Sequence, residues 1–218
     1  MEQWFPKDKI ILTGNPLRNN IVPIDDKREE GLRYFNLSQD KKTILLVGGS
    51  QGALGINKGV SAQLASFKDN DYQLIWQTGN HYYDKALSEV DENGLGDRIK
   101  CTVFIDRMDL AYAAADVVIS RAGAMSISEL SLLNKAVVFV PLPTAAEDHQ
   151  TKNAMSLVNA DAALLVKNSE TENVLLPTVF DLLKNVDKQN EMKNNIAKFA
   201  RPNAAEDIVD QIEIVLKK

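Results

Sequence analysis

The apolar positions of the chain fall into short uninterrupted runs that alternate with segments of helical periodicity. Residues 43–47 (Thr-Ile-Leu-Leu-Val) form the clearest run, with lysines before it and glycines after it. A continuous apolar run of this length is typical of a parallel strand that is covered on both faces. The same pattern predicts strands at residues 9–12, 43–47, 72–77, 99–104, 117–120, 136–140 and 162–166.

Helical periodicity fills the spaces between these runs. It predicts helices at residues 25–34, 53–65, 82–90, 108–114, 126–133 and 149–159, and then three consecutive helices at 174–183, 190–199 and 204–216. Repeated strand–helix units with short loops predict an α/β fold with right-handed crossovers. We therefore expect a Rossmann-like open parallel sheet with helices on both faces.

A glycine-rich turn follows the first clear strand, at Gly48-Gly-Ser-Gln-Gly52. Glycines in such a turn let backbone amides approach a phosphate at the start of the next helix, and Ser50 and Gln51 can add side-chain hydrogen bonds. The turn lacks the Gly-Lys-Ser/Thr ending of a P-loop and the Gly-x-Gly-x-x-Gly spacing of a dinucleotide fingerprint. The alternative is a tight strand-to-helix turn that binds no ligand.

A second turn of small residues leads from the strand at 117–120 into a helix. Gly123 and Ala124 leave space beside the backbone, and a helix that starts here presents unpaired N–H groups and the positive end of its dipole. Glu129 can accept two hydrogen bonds from a sugar diol. The alternative is that Ser126 and Glu129 form a capping box and that this turn has no ligand.

In a parallel sheet of this kind, ligands bind outside the carboxyl ends of the strands. Four candidate loops fall there, at residues 48–52, 105–106, 123–126 and 141–150. Their convergence is stronger evidence for a ligand site than any one loop. In the last loop, Gln150 offers a neutral amide suited to hydroxyl groups, whereas His149 is either a general base or a surface residue.

Composition narrows the range of partners. The 218 residues carry a formal net charge of −5, which argues against a general nucleic-acid binder. The single cysteine, Cys101, excludes a disulfide framework and a cysteine-based zinc site within one chain, and the presence of only two histidines argues against a histidine-rich metal site. The sequence has no signal peptide and no apolar run of transmembrane length, so we expect a cytoplasmic protein with at most peripheral membrane contact.

Several ordered motifs resemble the donor-binding half of the MurG family. Enzymes of that family have two domains in the GT-B arrangement and transfer N-acetylglucosamine (GlcNAc) from UDP-GlcNAc to lipid I, which gives lipid II for peptidoglycan. The matching segments are Gly48-Gly-Ser-Gln-Gly-Ala53, Gln77-Thr-Gly79, Ala114-Ala-Asp116, Ser120-Arg-Ala-Gly-Ala124 with Ser128-Glu129, and Asp148-His-Gln-Thr-Lys-Asn-Ala154. Thr13-Gly-Asn-Pro-Leu-Arg18 is similar to the hinge-proximal segment of the family.

The resemblance implies one C-terminal nucleotide-sugar-binding domain over residues 1–218. Residues 1–20 would form the hinge-proximal segment, and the last helix, at about 203–218, would pack toward an N-terminal domain. That domain would carry the catalytic base and the acceptor site for lipid I, and most of the contact with the cytoplasmic face of the plasma membrane. We therefore expect no catalytic residue among these residues and no transferase activity from this chain alone.

The resemblance also implies a set of residues that contact the donor. Ile105 would read the uracil edge with its backbone, Glu129 would bind the ribose hydroxyls, and Gln150 would address the phosphate and GlcNAc end. Neither a metal nor a cofactor is implied. The full set is Arg18, Gly49, Ser50, Gln51, Gly52, Ile105, Ala124, Met125, Ser126, Ile127, Ser128, Glu129, His149 and Gln150.

Two other functions stay open beside the donor domain of such a transferase. One is a naturally separate donor-binding subunit of a two-subunit GlcNAc transferase. The other is a sugar-nucleotide-binding module without chemistry. A dinucleotide-dependent oxidoreductase is disfavoured because the fingerprint is missing.

Overall fold

Six parallel strands form one sheet in the order β3-β2-β1-β4-β5-β6. The structure is a computed structural model that describes residues 5–18, 21, 24 and 26–217. The strands are β1 (Lys42–Val47), β2 (Tyr72–Gln77), β3 (Ile99–Thr102), β4 (Val117–Ser120), β5 (Ala136–Phe139) and β6 (Leu164–Leu165). The predicted Rossmann-like α/β fold is confirmed.

Helices cover both faces of this sheet. They are α1 (Arg28–Tyr34), α2 (Leu54–Ser61), α3 (Tyr83–Glu92), α4 (Met108–Ala114), α5 (Ala124–Leu132), α6 (His149–Val158), α7 (Thr171–Lys184), α8 (Val186–Ile196) and α9 (Ala204–Leu216). Short 3-10 turns lie at Lys7–Lys9, Leu64–Phe67, Asn80–Tyr82, Ala146–Asp148, Asn168–Glu170 and Ala197–Phe199. Within the described residues, no helix is long and apolar enough to cross a membrane.

The core lies in two layers, one on each face of the sheet. Ile44 and Leu46 of β1 point into a layer with α2, α3 and α7. Leu45 points to the opposite layer, with α1, α4, α5 and α6. Each of these fully buried side chains contributes about 1.5–3 kcal/mol of hydrophobic free energy. Burial on both faces explains why the strand sequence is continuously apolar instead of alternating.

The strand order places a topological switch point between β1 and β4. From β1 the chain proceeds outward through β2 and β3, and it then returns to β4 on the other side of β1. The loops that leave the carboxyl ends of β1 and β4 therefore diverge. In sheets of this order, that divergence opens the crevice in which ligands bind.

Asp116, in one of the family motifs, joins α1 to the sheet. Its carboxylate accepts a 2.7 Å hydrogen bond from the backbone N–H of Thr43 and a 3.0 Å bond from Arg28. Arg28 also donates to the carbonyl oxygen of Ala114 at 2.7 Å. These contacts give Asp116 a role in joining elements, at the amino end of β4.

The N-terminal segment differs from its prediction. The strand expected at residues 9–12 is absent, since the structure has a 3-10 turn at Lys7–Lys9 and then a stretch with no sheet partner. A short apolar run needs a neighbouring strand to become a strand, and α/β packing provides none here. Residues 1–4, 19 and 20 of the predicted hinge-proximal segment, Asp25 of the predicted helix 25–34 and Lys218 of the last helix lie outside the described residues.

Candidate functional site

The turn after β1 is built on two glycines with positive φ. Gly49 has φ +81° and Gly52 has φ +76°, and Gly52 N donates a 2.9 Å hydrogen bond to Gly49 O. A Cβ at Gly52 would collide with the carbonyl oxygen of Thr78, whereas a Cβ at Gly49 would meet open space. Ser50 and Gln51 lie exposed at the tip. The turn is therefore pressed against the end of β2, with its tip at the carboxyl edge of the sheet.

The second turn starts α5 two residues earlier than predicted. The helix begins at Ala124 with Gly123 as N-cap, and no side chain caps it. Ser126 is therefore the third helical residue and not the N-cap, which excludes the alternative of a Ser126–Glu129 capping box. Gly123 adopts an extended conformation, with φ −70° and ψ 150°, and Ala124 and Met125 after it both favour helix. The first N–H groups of α5 thus point toward the edge that also carries the glycine turn.

Glu129 lies in the second turn of α5 and is held from two sides. Tyr112 Oη donates a 2.9 Å hydrogen bond to Glu129 Oε2, and Arg18 Nη2 lies 3.6 Å from Oε1. Asn15 Nδ2 donates a 2.9 Å bond to Ser128 Oγ one residue earlier. The segment that contains Asn15 and Arg18 therefore crosses the start of α5. Among the predicted site residues, this geometry brings Arg18, Ser128 and Glu129 together.

The other predicted residues around α5 differ in exposure. Ile105, after β3, is buried as a whole residue, so that its side chain offers no surface to a ligand. Ala124 and Met125 are exposed, while Ser126 and Ile127 are half-buried. This arrangement suits contacts through backbone N–H groups and the Ser126 hydroxyl more than through apolar packing.

A cavity of about 680 Å³ lies between the start of α2 and the loops that follow β4, β5 and β6. Of the predicted residues, Gly52 and Gln150 line it. Its walls also contain side chains that were not predicted, namely Lys58, Arg121, Thr144, Asn168, Ser169, Thr171 and Glu172. The mixture of amide, hydroxyl and charged groups suits a polar ligand with several hydroxyls.

Arg121 forms one wall of this cavity. Its Nη1 donates to the carbonyl oxygens of Val140 and Pro141 at 2.9 and 3.1 Å, and to Asn168 Oδ1 at 2.9 Å. These acceptors are all neutral oxygens, and burial lowers the pKa of the guanidinium. Arg121 therefore joins three loops and brings a partly desolvated positive charge to the cavity.

His149 and Gln150 begin α6 but face different surroundings. Gln150 Oε1 accepts a 3.0 Å hydrogen bond from Leu142 N, which fixes the amide beside the cavity. His149 Nδ1 lies 2.8 Å from Ala146 O, and this side chain is exposed. The cavity lining includes Gln150 and not His149. The exposed position of His149 outside the cavity does not suit a general base for a ligand bound in the cavity.

Acidic residues that could attract a metal lie elsewhere. The one Asp-x-Asp pair of the sequence, Asp69 and Asp71, precedes β2 at the amino end of the sheet, and Asp71 pairs with Lys41. Across the part of the chain that the structure describes, no group of three or more His, Cys, Asp and Glu side chains could hold a metal ion. Independence from metal ions stays a prediction.

Tyr112 and Arg121 are the contacts that sequence reasoning did not single out. Tyr112 lies in the apolar helix α4, where an aromatic residue has the pattern of a core side chain. Arg121 lies inside the Ser120–Ala124 motif, but the three oxygens that accept its hydrogen bonds belong to residues 19 to 47 positions later. Only the packing of those loops gives either residue a role.

Comparison with known proteins identifies the family. The model of the glycosyltransferase family 28 C-terminal domain matches residues 43–208. The chain belongs to this family. The match extends from β1 into α9 and so contains both turns and the cavity of this glycosyltransferase domain.

Similar proteins agree with this family. The UDP-N-acetylglucosamine–N-acetylmuramyl-(pentapeptide) pyrophosphoryl-undecaprenol N-acetylglucosamine transferase of Parabacteroides distasonis is 47% identical, over 100% of this chain and 59% of its own length. The enzyme of the same name from Bacteroides thetaiotaomicron is 50% identical, over 97% of this chain and 57% of its own length. The crystal structure of Acinetobacter baumannii MurG has a TM-score of 0.73 and 30% identity, over 91% of this chain and 57% of that one. The chain thus spans under three fifths of these relatives, and the resemblance to MurG is confirmed.

Proposed function

We propose that this chain is the donor-binding domain of a UDP-GlcNAc-dependent N-acetylglucosaminyltransferase that acts on lipid I. The observation that carries the proposal is the Glu129 carboxylate, which Tyr112 holds beside the uncapped start of α5. A fixed carboxylate next to free helix N–H groups suits a ligand with both a diol and a phosphate. The names of the relatives supply the donor and the acceptor in this proposal.

The nucleotide would lie along the carboxyl edge of the sheet. The ribose hydroxyls donate to Glu129, and the backbone of Ile105 pairs with the uracil edge. The diphosphate lies at the start of α5, within reach of Ser126 and of the glycine turn with Ser50. Backbone N–H groups, hydroxyls and the helix dipole favour the anion in this position.

The GlcNAc ring would enter the cavity beside Gln150. With Oε1 taken by Leu142 N, the Gln150 amide is oriented to donate through Nε2 to a sugar hydroxyl or to the acetamide oxygen. Arg121 adds positive charge near the sugar–phosphate bond. Asn168 and Thr144 provide further groups for hydroxyls on the cavity wall.

In the proposed reaction, these residues stabilise the leaving diphosphate. Charge grows on the departing phosphate in the transition state, so that preorganised N–H donors and cations accelerate transfer. The base that activates the acceptor hydroxyl and the lipid I site would come from another part of a longer protein. We place that protein at the cytoplasmic face of the bacterial plasma membrane, with no metal or other cofactor and no nucleic-acid partner.

The relatives bear on the alternatives. Each matched transferase carries this domain within one longer chain. This favours the donor half of a MurG-type enzyme over a separate subunit or a module without chemistry. Transfer of GlcNAc to lipid I, once the acceptor-binding part of such an enzyme is added to this chain, would distinguish the catalytic role from pure binding.

Calorimetric titration of the chain with UDP, UDP-GlcNAc and UDP-GalNAc tests the proposal. We expect the chain to bind UDP and to prefer UDP-GlcNAc over its C4 epimer. Glu129→Ala should weaken UDP binding by about 1.5–3 kcal/mol, the scale of a hydrogen bond to a charged group. Glu29→Ala, which removes an exposed carboxylate in the first turn of α1, is the control. Failure to bind any uridine ligand, or equal affinity of Glu129→Ala and the original chain, would contradict the proposal.

A further inference from the structure

We propose that Tyr112 is a positioning residue for Glu129 and thereby sets the preference of this site for ribonucleotides over 2′-deoxyribonucleotides. The inference rests on the proposed function, because it takes Glu129 as the group that faces the ribose. It adds a residue from the core to the donor site. The effect of that residue is measurable as the ratio of the affinities for UDP and 2′-deoxy-UDP.

The hydrogen bond links the Tyr112 hydroxyl, a donor on a buried ring, to the carboxylate of Glu129, whose side chain is flexible. Tyr112 is 2% exposed within α4, and its Oη lies 2.9 Å from Glu129 Oε2. The Glu129 side chain is 13% exposed and rotates about three bonds. Because core packing already fixes the phenol ring, its hydrogen bond orders the carboxylate at little further entropic cost. A glutamate that is ordered before binding does not lose that freedom when the ligand arrives.

The proton on Tyr112 makes this hydrogen bond unidirectional. Burial, and then the negative charge of Glu129, raise the pKa of the phenol well above its usual value. The hydroxyl therefore stays protonated and donates, and the carboxylate oxygen Oε2 accepts. Glu129 Oε1 lies 3.6 Å from Arg18 Nη2, beyond a hydrogen bond, so that it keeps the capacity to accept from a ligand hydroxyl.

A positioning role and a purely structural role lead to different ligand dependence. If the hydroxyl of Tyr112 only stabilises the fold by linking α4 to α5, its removal weakens the binding of all nucleotides equally. If it aims the carboxylate at the ribose diol, its removal weakens a nucleotide with a 2′-hydroxyl more than one without it. The ratio of the two affinities separates these roles, because general damage to the fold cancels in the ratio.

The test is a titration of the chain, Tyr112→Phe and Tyr82→Phe with UDP and with 2′-deoxy-UDP. Tyr82 is the matched control, since it is also buried and its hydroxyl lies 2.9 Å from Ser61 Oγ, away from α5. We expect the chain to prefer UDP and Tyr112→Phe to reduce that preference about threefold to tenfold, the effect of one hydrogen bond. Tyr82→Phe should retain the original preference.

A second variant approaches the contact from the other partner. Glu129→Asp keeps the charge but withdraws the carboxylate from Tyr112 Oη, so it should also reduce the preference for UDP. In Glu129→Ala, adding Tyr112→Phe should not change the ratio further, because the two residues act through one contact. Circular dichroism on each variant checks that it is folded.

The outcomes separate this inference from the proposed function. An unchanged UDP to 2′-deoxy-UDP ratio in folded Tyr112→Phe would overturn the positioning role while the donor site stands. Equal reduction by Tyr82→Phe would overturn it as well. If the original chain binds neither nucleotide, or binds both equally, the placement of the ribose at Glu129 is contradicted, and this inference falls with it.

Discussion

Trp76 Nε1 donates a 2.9 Å hydrogen bond to Asn57 Oδ1, and Asn57 Nδ2 donates a 2.8 Å bond to Thr78 O. Asn57 is buried in α2, and Thr78 follows β2. This side chain therefore joins the helix after the glycine turn to the end of the neighbouring strand. It fixes the turn at the carboxyl edge, where the diphosphate is proposed to bind.

Replacing Asn57 should therefore destabilise the domain. Asn57→Ala leaves the Trp76 N–H and the Thr78 carbonyl buried without this partner, at about 1–3 kcal/mol for each unpaired group. We expect a loss of about 2–6 kcal/mol in the free energy of unfolding, measured by urea denaturation. Asn195→Ala removes two exposed hydrogen bonds, a 3.3 Å bond to Asp161 O and a 2.8 Å bond from Lys198 Nζ, and should cost under about 0.5 kcal/mol. Similar losses for the two variants would contradict this account.

Gly49 and Gly52 form a matched pair in the glycine turn. Both have positive φ, but only a side chain at Gly52 would collide with the Thr78 carbonyl. We expect Gly49→Ala to cost about 1 kcal/mol of stability through backbone strain alone. Gly52→Ala should cost at least twice as much, because it must also displace the turn from β2. Thermal and urea unfolding of both variants would measure the difference, and an equal loss would refute the clash.

Asp109 makes stability depend on pH. Arg107 donates to Asp109 Oδ1 and Oδ2 at 2.9 Å each, and Lys27 adds a 3.2 Å bond to Oδ2. The hydrogen bonds from Arg107 are the largest cause that holds the pKa of this carboxyl well below its usual range. Because the pKa is lower in the folded state, the stabilisation is complete above the unfolded value of about 3.9 and is lost as the pH falls toward the folded value.

Asp109→Asn should therefore lose about 1–3 kcal/mol at pH 7. The difference from the original chain should shrink as the pH falls below about 4. Urea denaturation at pH 7, 5, 4 and 3 would follow this change, with Asp210→Asn as an exposed control. A difference that stays constant from pH 7 to pH 3 would rule out the charge of Asp109 as its source.

Gln150 and His149 are adjacent but should affect the donor differently. Gln150 lines the cavity and is fixed by Leu142 N, whereas the His149 side chain lies outside the lining and contacts Ala146 O. We expect Gln150→Ala to weaken UDP-GlcNAc by about 0.5–1.5 kcal/mol and to change UDP affinity little. His149→Ala should change the affinity for either ligand by no more than a few tenths of a kcal/mol. Calorimetry on both variants with both ligands provides the comparison, and a larger effect from His149 would relocate the sugar.

Local sequence was sufficient for elements that are bounded by strong signals. The predicted limits of β2, α4, β4 and α9 agree with the structure because apolar runs or helical periods end there at polar or small residues. Local sequence was insufficient where tertiary packing determines whether a segment forms a strand or where a helix begins. Residues 9–12 have strand-like composition but no neighbouring strand, and α5 begins at Ala124 because Gly123 adopts the extended conformation of an N-cap.

The residues of the candidate site also divide into those that the sequence predicts and those that only the packing reveals. Gly49, Gly52 and Glu129 follow from the rule that ligands bind beyond the carboxyl ends of parallel strands. Tyr112 does not, since its hydroxyl reaches Glu129, 17 positions later, only because α4 and α5 lie in the same core layer on one face of the sheet. Arg121 likewise depends on loops after β5 and β6. Contacts between elements distant in sequence determine how a site is held, and one sequence does not contain them explicitly.

The expectation that α9 packs toward another domain stays a prediction. Val209, Ile212, Val215 and Leu216 of this helix are exposed. The other described residues of the chain leave this apolar face of α9 largely uncovered. A structure that includes the further length found in the relatives would show whether a second domain lies against it.

A crystal structure of the chain with UDP-GlcNAc would test the proposed donor site at the level of single contacts. We predict that the ribose hydroxyls lie within hydrogen-bond distance of Glu129, that the diphosphate lies between the start of α5 and the Gly48–Gly52 turn, and that the sugar lies beside Gln150. Uridine bound away from Glu129, for example against the exposed Lys58 and Glu172 on the cavity wall, would contradict this placement.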